Sequence, residues 1–107
     1  MRIIRTNIIP IGRGVGAINL FGILFVKKEM KLTREVINHE KIHTCQMREL
    51  GYVPFYIIYV MEWLLRMVQH RGRIYESYYA ISFEREAYAN ADNLRYRANR
   101  EHFAQWR

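Results

Sequence analysis

One segment of the chain carries a complete set of helix signals and constrains the fold more than any other. Thr33 is a residue type that caps helix N-termini, Glu35 places a negative charge in the first turn, and Gly51 suits the left-handed position after the last turn. The sequence therefore predicts a helix from Thr33 to Gly51. The residues that follow helical spacing on its inner face are Val36, His39, Ile42, His43, Gln46, Met47 and Leu50.

Two histidines lie in the middle of this helix, in the run Asn38-His39-Glu40-Lys41-Ile42-His43. Side chains four residues apart project from the same face, so both imidazoles can reach one metal ion while Glu40 stays beside it. Zinc held by neutral imidazoles keeps a position open for water and lowers the pKa of that water to about 7. A neighbouring carboxylate can then accept the proton of the water. We therefore expect His39 and His43 to bind a metal and Glu40 to be the general base.

Two neighbours of the histidines are not expected to bind the metal. Lys41 points away from the side that carries both histidines, so we expect it at the surface. Cys45 also lies on the wrong side of the helix, and we interpret it as a buried structural thiol. Because Cys45 is the only cysteine, an internal disulfide is excluded, and a reducing, cytoplasmic location is favoured.

Length and composition predict one small folded domain spanning residues 1–107. Half of the residues are hydrophobic, which excludes a disordered chain. The net charge of +7 implies attraction to acidic partners, without choosing among nucleic acid, anionic membrane and acidic peptide. A signal peptide is not expected, because Lys27-Lys28 follows the apolar run Ala17 to Val26 with no cleavage site between them.

The N-terminal part of the chain predicts β structure. Arg2 to Ile11 is rich in isoleucine and broken at Pro10, which indicates one short strand, and Ala17 to Val26 indicates another. The glycine-rich segment Gly12 to Gly16 is expected to be a turn in a β-hairpin or an edge pairing. It is not expected to bind phosphate, since no helix follows it. An edge strand here could hold an extended peptide by main-chain hydrogen bonds.

The rest of the chain predicts helices. Pro54 suits the first turn of a helix from Phe55 to Gln69, whose apolar part is shorter than the roughly 20 residues that cross a bilayer. A buried core helix is the favoured interpretation, and a helix lying in the membrane interface is the alternative. Ser82 is expected to cap a further helix that continues to about Arg97.

A metal site of this kind needs a third protein ligand, because two histidines alone hold the ion weakly. Glu84 is the first candidate, since Ala87 and Ala91 share its side of the helix and small residues allow two helices to approach closely. Glu86 is close behind, with Asn90 available to orient a histidine.

Glu62 is a distant third candidate for that ligand. Arg66 lies one turn further along the same helix, so we expect Glu62 to form a salt bridge with Arg66.

The segment from Thr33 to Asn90 resembles the gluzincins, which are zinc peptidases with a glutamate-bearing helix after H-E-x-x-H. In size the chain is similar to minimal single-domain gluzincins. The run Phe83-Glu84-Arg85-Glu86-Ala87 looks most like the Phe-Glu-x-x-Ala run of the membrane-associated members. The resemblance implies an α+β domain, mostly helical, with a short N-terminal β-hairpin or edge strand packed on both motif helices. It also implies Zn²⁺ bound by two histidines and a glutamate, namely His39, His43 and Glu84.

Two hypotheses of function follow. The first is a small zinc-dependent endopeptidase that acts on peptides or proteins, with Glu40 as general base and a tyrosine or His70 stabilising the oxyanion. The second is a non-catalytic module, stabilised by zinc, whose basic surface contacts an anionic membrane or nucleic acid. Nucleic acid is the weaker of these partners because no recognised nucleic-acid motif is present. The sequence leaves the oligomeric state open.

Overall fold

The structure is a computed structural model that describes residues 2–6 and 17–106. Its described residues form an α+β fold that is mostly helical, as the sequence predicts. The strands are β1 (Arg2–Arg5), β2 (Ala17–Leu20) and β3 (Ile23–Val26). The helices are α1 (Arg34–Leu50), α2 (Val53–Gln69), α3 (Ile74–Ala80), α4 (Ser82–Asn90) and α5 (Tyr96–Asn99), followed by a 3₁₀ turn at Ala104–Trp106.

The three strands form one sheet in the order β1-β3-β2. β3 pairs in parallel with β1 and antiparallel with β2. The prediction of one strand from Ala17 to Val26 was wrong, because Phe21 and Gly22 take positive φ angles of 54° and 88° and fold the run into a hairpin. Two central residues with positive φ are the pattern of a type I′ turn, which matches the twist of paired strands. The turn predicted at Gly12 to Gly16 lies outside the described residues.

The hairpin is held against the helices by Asn19, a buried residue of β2. Its side-chain amide donates to the main-chain carbonyl of Glu40 over 2.9 Å and to the hydroxyl of Thr44 over 3.1 Å. The hydroxyl of Tyr56 in α2 donates to the carbonyl of Asn19 over 3.1 Å. Because these hydrogen bonds pair the side-chain amide and the carbonyl of Asn19, β2 is fixed alongside α1 at the level of Glu40.

Helix α1 begins and ends where the sequence predicts. The Thr33 side chain accepts a hydrogen bond from the Val36 amide over 3.1 Å, and Gly51 closes the helix with a φ of 79°. Lys41 and Cys45 are both half-buried, so the predictions of an exposed lysine and a buried thiol were wrong. The reason is that the β-hairpin partly covers their side of α1, where they line a small cavity with Gly22.

Helix α2 is not the buried core helix that was predicted. Phe55 is the single buried residue of α2, and it packs with Met47, Ile81 and Phe83 in the hydrophobic core. The opposite side of α2 is apolar but exposed, because α1 and α3 cover one side of the helix only. None of the helices in the described part of the chain combines the length and apolar content of a bilayer span.

Ser82 is the first residue of helix α4 and not its N-cap as predicted, since Ile81 takes the capping position. The helix ends at Asn90 and does not continue to about Arg97 as predicted. The cause is Asn38 of α1, whose buried side-chain amide donates to the carbonyls of Asn90, Ala91 and Asn93 over 2.9 to 3.2 Å. These bonds satisfy the carbonyl of the last residue of α4 and two carbonyls just beyond it, where the chain turns away. The tertiary contact therefore ends the helix where local sequence alone would extend it.

Candidate metal centre

Helices α1 and α4 bring three metal-binding side chains together. His39 and His43 project from α1, and Glu84 projects from the first turn of α4. Glu84 Oε1 lies 3.2 Å from His39 Nε2 and 2.9 Å from His43 Nε2, and the two Nε2 atoms are 3.1 Å apart. All three residues are buried. They form a group that can hold one metal ion, as the sequence predicts for these three residues.

Small residues let the two helices approach closely enough for this contact. Ala87, one turn beyond Glu84 and therefore on the same side of α4, is fully buried. Glu84 and Glu86 are about 200° apart around α4, so they cannot share a direction. Glu84 points at the histidines and Glu86 points at Arg100.

Glu84 is held by Tyr59 as well as by the histidines. The Tyr59 hydroxyl donates to Glu84 Oε2 over 2.6 Å, which leaves Oε1 for the two histidines. Burial opposes ionisation of Glu84, but His43 and the hydrogen bonds from His39, His43 and Tyr59 outweigh it and hold its pKa well below the usual range. Burial and the neighbouring Glu84 raise the pKa of Tyr59, so its hydroxyl stays protonated and remains a donor.

Gln46 fixes the orientation of His43, a role that sequence reasoning missed. Its side-chain nitrogen donates to the carbonyl of Phe83 and to Glu86 Oε1, both over 3.0 Å, and both of these groups accept only. The amide oxygen must therefore face His43 Nδ1, which lies 2.8 Å away. Nδ1 consequently carries a proton, and Nε2 of the neutral ring is left with a free lone pair.

That lone pair requires a cation. His43 Nε2 faces a carboxylate oxygen at 2.9 Å, an arrangement that is repulsive unless a proton or a metal ion lies between the two atoms. Burial lowers the basicity of His43, but Glu84 outweighs it and raises the pKa to about 9. In the absence of metal, this position therefore favours a bound proton, which a metal ion held there would displace.

Glu86 is not part of the metal group, and neither is Asn90. Arg100 donates to both oxygens of Glu86, and the hydroxyl of Tyr96 donates to Oε2. The charge of this carboxylate is thus neutralised inside the protein. Asn90 donates to the main-chain carbonyl of Glu86 and not to a histidine, so Gln46 takes the orienting role that was expected of Asn90.

Glu62 also lies outside the metal group, and its expected salt bridge to Arg66 is not formed. Its two carboxylate oxygens accept from the main-chain amide and the hydroxyl of Ser82, at the start of α4. Arg66 donates instead to Gln69. Glu62 therefore caps the helix that carries Glu84, which explains why a glutamate of α2 is directed inward.

Glu40 lies beside the metal group, and it lines the same large cavity as His39, His43 and Glu84. Burial raises its pKa, and the neighbouring His43 and His39 oppose that rise. A carboxyl group whose pKa moves toward neutrality is better matched to proton transfer than one with an ordinary value.

A cavity of about 1090 Å³ opens onto these four residues. Strand β2, one of the two outer strands of the described sheet, forms part of one wall. The other walls are largely aromatic, and their rings are Phe55, Tyr56, Tyr59, Trp63, Tyr75, Tyr78, Tyr79 and Tyr88. Since aromatic walls with a few convergent polar groups are typical of ligand sites, this cavity is the candidate ligand-binding site.

Tyr78 and Tyr88 line the cavity close to the metal group. Tyr88 packs its ring on His39 with a centroid distance of 4.3 Å, and its hydroxyl lies 3.1 Å from that of Tyr78. The ring of His70 lies elsewhere, with its Nδ1 3.9 Å from Glu76 Oε2.

Comparison of the chain with known protein families, with curated proteins and with solved structures gives no match. The chemistry of the site must therefore be argued from its residues and their geometry. That geometry joins a buried group that can hold a metal ion to a carboxylate with a raised pKa and a large cavity.

Proposed function

We propose that this protein is a small zinc-dependent peptidase. The observation that carries the proposal is the spacing of the three ligand atoms, which lie 2.9 to 3.2 Å from one another. Tetrahedral zinc with bonds of about 2.0–2.1 Å needs ligand atoms roughly 3.3–3.4 Å apart, so a small outward movement would be sufficient. Two imidazoles and one carboxylate form the ligand set of several catalytic zinc sites, in which a fourth position stays open.

Zinc fits the donor set better than magnesium or calcium does. Magnesium and calcium prefer sites built of oxygen ligands, whereas two of the three donors here are imidazole nitrogens. A neutral His43, fixed in the tautomer that frees Nε2, is the form in which imidazole binds zinc. The single carboxylate of Glu84 supplies negative charge in a buried setting.

Each residue near the cavity has a distinct part in peptide hydrolysis. Bound zinc would supply a water of lowered pKa and polarise the carbonyl group of the peptide. Glu40 would accept the proton of that water and deliver it to the leaving amide nitrogen. Among the strands of residues 2–6 and 17–106, β2 pairs on one side only, with β3, so an extended peptide could add at its other edge by main-chain hydrogen bonds. The hydroxyl of Tyr78 or Tyr88 would donate to the developing oxyanion.

The proposal is tested first by metal content. Protein purified without a histidine tag should contain, or take up on titration, about one zinc per chain. His39→Ala removes a ligand and should lose both the metal and any activity. Absence of zinc after purification and after titration would refute the proposal.

Hydrolysis is tested separately with Glu40→Gln, which preserves shape and leaves the metal ligands intact. Zinc should be retained, while cleavage of a mixed peptide library, read by mass spectrometry, should fall by about 10²-fold or more. If the variant cleaves a substrate as fast as the parent, Glu40 is not the base. Zinc binding with no cleavage by the parent would favour the alternative, a zinc-stabilised binding module.

A further inference from the structure

Helix α2 exposes an apolar face along its whole length. The helix has 17 residues, so this face is about 25 Å long. Its exposed apolar side chains are Val53, Ile57, Val60, Met61, Leu64, Leu65 and Val68. Met61 is 66% exposed and Val68 is 78% exposed, which are high values for apolar side chains. We call these seven residues the α2 apolar face.

No charged residue interrupts this face. The charged residues of α2 are Glu62 and Arg66, and both are half-buried on the inner side of the helix. Contiguous apolar surface of this extent is unusual on a soluble monomer and marks a contact with another apolar phase. The length of the helix is insufficient to cross a bilayer, so a contact parallel to a surface is the geometry that remains.

The charge of the surface identifies what covers the face. Several acidic side chains are engaged inside the protein, among them Glu49, Glu62, Glu84 and Glu86. Among the described residues, eleven arginines and lysines are exposed, against five aspartates and glutamates. A second copy of the chain would bring a further charge of +7 and be repelled, whereas anionic lipid would be attracted.

The two ends of the face carry residues that suit a lipid interface. Arg71 and Arg73, both exposed, follow the C-terminal end of α2. Tyr75 and Tyr79 of α3 are 78% and 52% exposed, and tyrosine rings are favoured at the depth of lipid headgroups. At the other end, the exposed ring of Phe21 lies 5.2 Å from that of Tyr56, at the start of α2.

We infer that the α2 apolar face binds the surface of an anionic membrane, with α2 lying in the interface parallel to the bilayer. Apolar side chains enter the boundary of the acyl chains, and the arginines contact lipid phosphates. Tyr75 and Tyr79 also line the large cavity, so its mouth adjoins the docked surface. A peptide held in the cavity would then lie close to the headgroups.

The test is co-sedimentation of the full chain with vesicles of phosphatidylcholine mixed with phosphatidylglycerol, and with vesicles of phosphatidylcholine alone. We expect binding to the anionic vesicles that weakens steeply with salt, and much weaker binding to the neutral ones. The double variant Val60→Gln/Leu64→Gln should bind about tenfold or more weakly, because each removed side chain forfeits its transfer into lipid. The pair Arg71→Gln/Arg73→Gln should lower binding to anionic vesicles only.

Leu94→Gln is the matched control, since Leu94 is 50% exposed, as Val60 is, but lies outside α2. It should bind vesicles like the parent, and all variants should melt near the parent temperature because exposed side chains are changed. Absence of binding at low salt, or equal binding by the Val60/Leu64 variant, would overturn the inference. A parent that is dimeric in sedimentation velocity, with a monomeric Val60/Leu64 variant, would also overturn it, since a second copy would then cover the face. The measurement does not depend on metal or cleavage, so its failure would leave the peptidase proposal intact.

Discussion

Gln46→Met tests whether the metal group depends on the residue that orients it. Methionine keeps the length and the unbranched shape of glutamine but removes both the acceptor and the donor. The change leaves the zinc ligands and Glu40 untouched. It deletes the 2.8 Å contact to His43 Nδ1 and the two 3.0 Å bonds to Phe83 and Glu86.

The size of the effect follows from these contacts. His43 Nδ1–H becomes a buried donor without a partner, which costs about 1–3 kcal/mol of unfolding free energy. For a domain of this size, each kcal/mol lowers Tm by about 4–8 °C. Without Gln46, the His43 ring can also take the tautomer that carries its proton on Nε2, or it can rotate so that Nε2 points away from the metal group. Loss of such an orienting bond lowers metal affinity by about 10–100-fold.

The assay is competition for zinc against a chelator of known affinity, combined with thermal unfolding of the loaded and metal-free protein. Gln69→Met is the control, because it makes the same chemical change at an exposed position near the end of α2. It should alter neither zinc affinity nor Tm appreciably. A folded Gln46→Met protein that binds zinc as tightly as the parent would refute the orienting role.

Three further predictions concern the buried charges. Glu84→Gln should lower zinc affinity at least as strongly as Gln46→Met does, measured by the same competition assay. Glu86→Gln should retain more of the parent zinc affinity than Glu84→Gln does. Arg100→Met leaves the Glu86 carboxylate buried and unpaired, so urea unfolding should show a loss of about 3–5 kcal/mol in a protein that still binds zinc when folded. Metal-free protein should lose stability as the pH rises from about 6.5 to about 9. The reason is that folding raises the pKa of His43 above its ordinary 6.5 to about 9, so the folded state binds this proton more tightly than the unfolded state does. The stabilisation is lost when the proton dissociates. Zinc-loaded protein should lack this loss, and so should metal-free His43→Gln; an equal decline in that variant would contradict the assignment to His43.

The sequence predicted the features that depend on local spacing. Thr33 and Gly51 mark the ends of α1 because capping uses side-chain and backbone properties of those residues alone. The i, i+4 spacing of His39 and His43 was enough to place them on one face, as found. Ala87 indicated the side of α4 that could approach α1, and Glu84 shares that side.

Features that depend on tertiary contacts were missed. Phe21 is not a typical turn residue, so a strand was predicted across a hairpin that is fixed by Asn19 and Tyr56. The end of α4 is set by Asn38, which is more than 50 residues away along the chain. The apolar α2 was predicted to be buried, but hydrophobic composition does not reveal how much protein is available to cover a helix. The one available signal for Gln46 was its position three residues after His43 on the same face.

The structure adds a physical reason for the choice of Glu84 over Glu86. Both carboxylates are buried, and both sit on a helix that faces α1. Glu86 meets Arg100, a permanent cation, and so its negative charge is balanced within the protein. The partners of Glu84 are two imidazoles and a phenol, which balance its charge only if a proton or a metal ion joins them. Arg100 lies 14 residues beyond Glu86, a distance at which sequence spacing predicts no contact. The balance of buried charge therefore distinguishes the carboxylate that needs an added proton or metal ion from the one that does not.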